Sequence, residues 1–165
     1  MDAQYFRTMF DYHYWARNRL LEAADGLNDE DYGKPNGFTY GSIRAVLTHT
    51  LGAEVIWLNR MRGDGAPPLA PAREDDLPSL DYLVARWSEV ESAQRAFLEN
   101  LKDADLSTVI EYSLRDGTPM HATIWQLLTI VVTHSMQHRA EAAEALTKIK
   151  RSPGNLDFIV FMREA

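Results

Sequence analysis

The sequence predicts an all-α protein, a four-helix bundle. Four segments carry apolar residues at the three-and-four spacing of an amphipathic helix. Glycine, proline, asparagine and aspartate cluster between them. Each segment has one apolar stripe, so the four must bury those stripes against one another. The chain has 165 residues, 45% hydrophobic and 25% charged. That is enough for one domain with a real core, and residues 1–165 are read as a single domain.

The first helix is expected over residues 3–25, with Phe6, Met9, His13, Ala16 and Leu20 on one row and Phe10, Tyr14 and Leu21 on a second. Gly26 is its expected stop, and residues 26–41 read as turns. The second helix should run from Ser42 to Met61. Val46, His49, Ala53 and Ile56 form one inward row, and Leu47, Leu51, Glu54 and Leu58 another. Gly63-Asp64-Gly65 should end it. Ala66 to Pro78, with four prolines, reads as a long surface connection rather than a domain boundary.

Ser79 is placed to cap a third helix reaching about Leu101. Its apolar side holds Leu80, Leu83, Val84, Trp87, Val90, Ala93 or Gln94, Phe97, Leu98 and Leu101. Val109 to Arg115 alternates and meets Asp116-Gly117, the signal of a small hairpin returning through Thr118 to Ala122. Thr123-Ile124-Trp125-Gln126 fits the T-x-x-Q start of a fourth helix, expected to reach about Lys150. Ser152-Pro153-Gly154 stops it. The tail from Leu156 to Met162 is too apolar for water and should pack on the bundle or on a second subunit.

Composition excludes several classes. No cysteine is present, which removes disulfides, thiolate zinc sites and a cysteine nucleophile and fits a reducing cytoplasm. A net charge of −7 without a basic cluster argues against a nucleic-acid partner. The N-terminus lacks the apolar core of a secretion signal. No run approaches the ~18 apolar residues that span a membrane.

The chemistry-bearing residues are histidines. His134 and His138 are four apart, hence on one helical face. That face runs Leu127, Val131, His134, His138, Ala142, Ala145 and Ile149, the stripe expected to point inward. His49 also lies on an inward row. Facing helices of a bundle can build metal sites in this way. Three neutral imidazoles leave one position open on a zinc-like ion, the arrangement of catalytic sites. Nickel, iron, cobalt or manganese would also accept such ligands. The competing reading is a metal-free bundle with hydrogen-bonded core histidines.

His13, on the first helix, is expected at the rim, with a fourth ligand or a partner of a ligand as alternatives. Glu141 shares the face of His138 and is expected to be solvated, with holding a ligand histidine or acting as a base the alternatives. Glu54, off the row of His49, is a weaker candidate, and His121 should be exposed. Ser135 stands where H-E-x-x-H has its glutamate, so a zincin-type protease is not expected. No G-x-S-x-G or Walker A loop is present, nor the paired E-x-x-H of di-iron bundles. The tryptophans and methionines fall at core spacing.

Four stretches together resemble one family. Tyr12-His13-Tyr14-Trp15-Ala16-Arg17-Asn18-Arg19-Leu20-Leu21 is similar to an opening Y-N-x-W-A-N-x-R-L-L. Leu47-Thr48-His49-Thr50-Leu51-Gly52-Ala53-Glu54, with Trp57-Leu58 after it, is similar to a helix-two L-x-H segment. Gly117-Thr118-Pro119 leads to His134-x-x-x-His138-Arg139, similar to H-x-x-x-H-R-G-Q, and Ser152-Pro153-Gly154-Asn155-Leu156-Asp157-Phe158 to S-P-G-D-L-D. In this order, over nearly the whole chain, they resemble the DinB-like family of metal-binding four-helix bundles, grouped with bacillithiol and mycothiol S-transferases. The DNA polymerase that shares the name is unrelated.

The resemblance implies a divalent ion, zinc or nickel first, held by His49, His134 and His138. It also implies a homodimer and a small-molecule thiol or electrophile as partner. His13 replaces a frequent Asn, and Ala140-Glu141 replaces Gly-Gln. The function expected is a metal-dependent thiol S-transferase. A metal-dependent hydrolase and a non-catalytic metal-binding stress protein are the alternatives.

Overall fold

A computed structural model describes residues 1–37, 40–63 and 67–164. Helix α1 spans Ala3–Ala24; the Asp2 carboxylate accepts from the Tyr5 N–H at 2.7 Å. Gly26 takes φ +68°, the left-handed turn that closes the end. A one-turn helix α2, Asp29–Gly33, follows. It was not expected from the turn-rich composition, yet Asn28 caps it through the Asp31 N–H at 2.8 Å. Helix α3 spans Ile43–Arg62, with Ser42 Oγ accepting from the Ala45 N–H at 3.0 Å. Gly63 caps its end; the rest of the expected Gly63-Asp64-Gly65 stop, and Ala66, lie outside the described residues.

Helix α4 spans Leu80–Asn100, and a 3-10 turn, Asp103–Ser107, precedes the hairpin. Strands β1 (Val109–Ser113) and β2 (Pro119–Thr123) pair antiparallel, Val109 opposite Thr123 and Ser113 opposite Pro119. Helix α5 spans Ile124–Lys148, and Gln126 Oε1 accepts from the Thr123 N–H at 2.9 Å, the expected capping contact.

The tail forms helix α6, Phe158–Glu164. It packs on α1 through Phe158 and Phe161 against Tyr12 and Phe161 against Trp15. Tyr12 also donates to the Leu156 carbonyl at 2.9 Å.

The long connection is long for a topological reason. The starts of α1 and α5 share one apolar cluster with the ends of α3 and α4, through Phe6, Phe10, Leu127, Met61 and Leu98. The opposite ends share the other, through Leu20, Leu47, Trp87 and Leu146. So α3 and α4 run parallel to each other and antiparallel to α1 and α5, and the chain between them must return the length of the bundle. It does so along α3: Leu69 pairs with Asn59, the Ala72 carbonyl sits over Gly52, and Glu74 pairs with Arg44.

Three residues placed on inward rows are exposed: Val84, Ile56 and Ile149, the last just beyond α5. A straight helix turns its stripe away from a neighbour toward its ends, and single exposed apolar residues are ordinary. Among the described residues no helix is long and apolar enough to cross a membrane.

Candidate metal centre

A polar layer divides the two apolar clusters. On α1 the first cluster stops at Tyr14 and the second begins at Leu20; His13 and Arg17 lie at the join. Glu54 marks it on α3, Gln94 on α4, and Ser135, His138 and Arg139 on α5, all buried.

On one side of this layer α3 and α5 bring His49, His134 and His138 together, one ligand nitrogen from each within 4.8 Å of the others. The ring centroids are 5.0 Å apart for His49–His134, 4.8 Å for His49–His138 and 4.5 Å for His134–His138. His138 is buried; the other two are partly open. His49 Nε2 and His134 Nε2 lie 3.1 Å apart. Two nitrogens bound to one tetrahedral zinc-like ion at ~2.0–2.1 Å would be about 3.3 Å apart, so this pair already stands near ligand spacing. Glu141 Oε2 lies 2.9 Å from His138 Nδ1. That contact fixes the ring and leaves Nε2 for the shared point, the arrangement that orients metal-binding histidines.

The electrostatics suit the same use. Burial, and then the neighbouring His134 and His138, lower the His49 pKa to about 4; Arg115 acts in the same direction. Burial, followed by His138, lowers that of His134. Neutral imidazole is the ligand form. The residues present therefore fit a divalent ion: the group could hold one, with His49 and His134 favoured in the neutral form and the His138 ring already braced.

Tyr40 was not anticipated. Its ring stacks on His49 with centroids 4.0 Å apart, and its hydroxyl lies 2.8 Å from His49 Nε2, the nitrogen facing His134. It comes from the loop before α3, where periodicity carries no information.

His13 is neither a rim residue nor a fourth ligand. It is fully buried, with Nε2 3.0 Å from Glu54 Oε1 and Nδ1 2.6 Å from Arg139 Nη1. Burial lowers its pKa, with the Glu54 carboxylate opposing. Glu54 accepts from Trp87 Nε1 at 2.9 Å and from Ser135 Oγ at 3.5 Å. Off the row of His49, it points across the bundle to α1 and α4. Glu141, expected in solvent, instead holds His138. His121 is exposed, as expected.

A helical bundle with an inward three-histidine group fitted to a metal ion is thus the class of protein that fold and site define. The family model described as DinB family matches residues 1–165. The chain belongs to the DinB family. None of the curated proteins compared with it matches it.

Proposed function

We propose that this protein is a metal-dependent thiol S-transferase whose ion is held by His49, His134 and His138. The convergence of three imidazoles on one point carries the reading. Neither candidate for a fourth ligand closes the site, because His13 faces Glu54 and Arg139 while Glu141 faces His138 Nδ1. A zinc, nickel or related divalent ion there would supply the charge that favours the thiolate form of a small thiol. Glu141 holds the His138 ring, and burial keeps His49 and His134 uncharged, with one ring nitrogen free to coordinate. In the transfer the thiol loses its proton, its sulfur bonds to an electrophilic carbon, and the leaving group departs with the bonding pair. The apolar residues that α6 leaves exposed, Ile159 and Met162, support a homodimer.

The first test is elemental analysis of untagged, dialysed protein beside a His134→Ala variant. About one divalent ion per chain is expected in the wild type and none in the variant. Absence from both, with none taken up on reconstitution, rejects the metal reading. A panel of thiols and electrophiles follows. Turnover without added thiol would mean a hydrolase, and no turnover with a loaded site a non-catalytic metal protein.

A further inference from the structure

One member of the histidine group, His49, lines a cavity of about 610 Å³, far larger than an ion. One wall is α3, with His49, Thr48 and Gly52. The other is the returning connection, with Ala72 and Arg73; Arg115, from the hairpin turn, completes the rim. A Cβ on Gly52 would meet the Ala72 carbonyl at 3.3 Å, so the connection sits directly on the helix.

The lining is chemically sorted. His49 and Tyr40 stand together on it, their rings stacked with centroids 4.0 Å apart. Thr48 is 5% exposed, and its hydroxyl has no hydrogen-bond partner. Among the described residues Glu74 is the one carboxylate on the lining, and it is engaged by Arg44 Nε at 2.9 Å. Among the described residues no carboxylate pairs with Arg73 or Arg115. A chain of net charge −7 therefore presents to the cavity that contains His49 two guanidiniums with no ion-pair partner among the described residues.

We propose that this cavity binds a carboxylate-bearing small molecule, with the anionic group on Arg73 and Arg115 and its remainder at His49, the member of the histidine group on the lining. Guanidinium forks match carboxylates in shape as well as charge. This reading rests on the proposed function for which end reacts; the anion recognition does not need the ion.

The test compares mercaptosuccinate with its dimethyl ester on cobalt-loaded protein, after cobalt uptake has been read from its d–d absorption. Affinity is read from the sulfur-to-cobalt charge-transfer band. The acid should bind about five- to tenfold more tightly than the ester. The exposed pair R73A/R115A should abolish that preference while leaving the ester unchanged. The double variant is needed because a carboxylate could also reach the ion. Equal affinities in the wild type, or a preference that survives R73A/R115A, overturns the proposal. Failure to take up cobalt counts against the metal reading alone. Calorimetry of acid and ester on metal-free protein then decides this one by the same two criteria.

Discussion

Replacing Glu54 with alanine should cost about 3–5 kcal/mol of stability. Glu54 is 2% exposed, with its carboxylate 2.9 Å from Trp87 Nε1 and 3.0 Å from His13 Nε2. Truncation leaves the indole N–H without an acceptor in a dry site, worth ~1–3 kcal/mol. It also leaves the guanidinium of Arg139, itself 3% exposed, without the carboxylate that favours its charge. Breaking a buried charge arrangement from one side raises the total to the range given. Glu54→Gln keeps an acceptor for Trp87 and should lose about half as much. The assay is urea unfolding of metal-free protein at neutral pH, followed by circular dichroism. The midpoint should fall with an unchanged slope, and Tm by ~2–4 °C per kcal/mol. An alanine variant that loses less than about 1 kcal/mol, or a glutamine variant as damaged as alanine, refutes the reasoning.

Glu141→Ala should weaken metal binding by about 10- to 100-fold without changing the fold, because Glu141 contacts His138 through one partly exposed carboxylate; competition against a coloured chelator reads it, and unchanged affinity would show that the contact orients nothing. The metal-free protein should also become less stable in mild acid. The folded-state pKa values of His49 and His134 lie below the unfolded value, so the unfolded chain takes up protons first. Their neutral-form stability is whole above about pH 6.5 and declines as pH falls toward the His49 value of about 4. Partial exposure limits the His49 contribution to about 1–2 kcal/mol. A urea midpoint that stays flat from pH 7 to 4.5, or falls as steeply in His49→Asn, contradicts this assignment.

The long helices were legible because each buries one stripe, and period and punctuation report that directly. His134 and His138 could be paired because four residues is one turn. His49 could be added because its row is apolar. The polar layer was harder to read. Its members come from different helices: His13 stood on an apolar row as His49 did, but no spacing within α1 names Glu54 or Arg139 as its partners, and none couples Glu54 to Trp87 on α4. Glu141 looked solvated for a similar reason: the same spacing from His138 serves a surface carboxylate and a bracing one. Tyr40 and α2 lie in a turn-rich stretch where Asn28 was the one usable signal, an N-cap preceding a helix too short to show a period.

The position of the polar layer bears on the site itself. On α5, His134 is followed by Ser135 and His138 by Arg139. One residue turns a helix by about 100°, so each histidine facing α3 has a neighbour facing the interior. Ser135 reaches Glu54 of α3, and Arg139 reaches His13 of α1. The contacts that cross the bundle thus fix the axial register of α5 against α3, and with it the 3.1 Å spacing of the His49 and His134 nitrogens. Replacing the layer by apolar side chains, His13→Leu with Glu54→Met and Arg139→Met, separates the two roles. Buried ionic groups exchanged together for packed hydrophobics are often neutral or stabilising, so the triple variant should lose no more than the ~1–3 kcal/mol of the Trp87 N–H that it leaves without an acceptor. Without cross-bundle hydrogen bonds α5 is free to settle at its own packing optimum, and metal affinity should fall by at least about tenfold. A triple variant that is stable and binds the ion as tightly as wild type would show that apolar packing alone sets the ligand spacing.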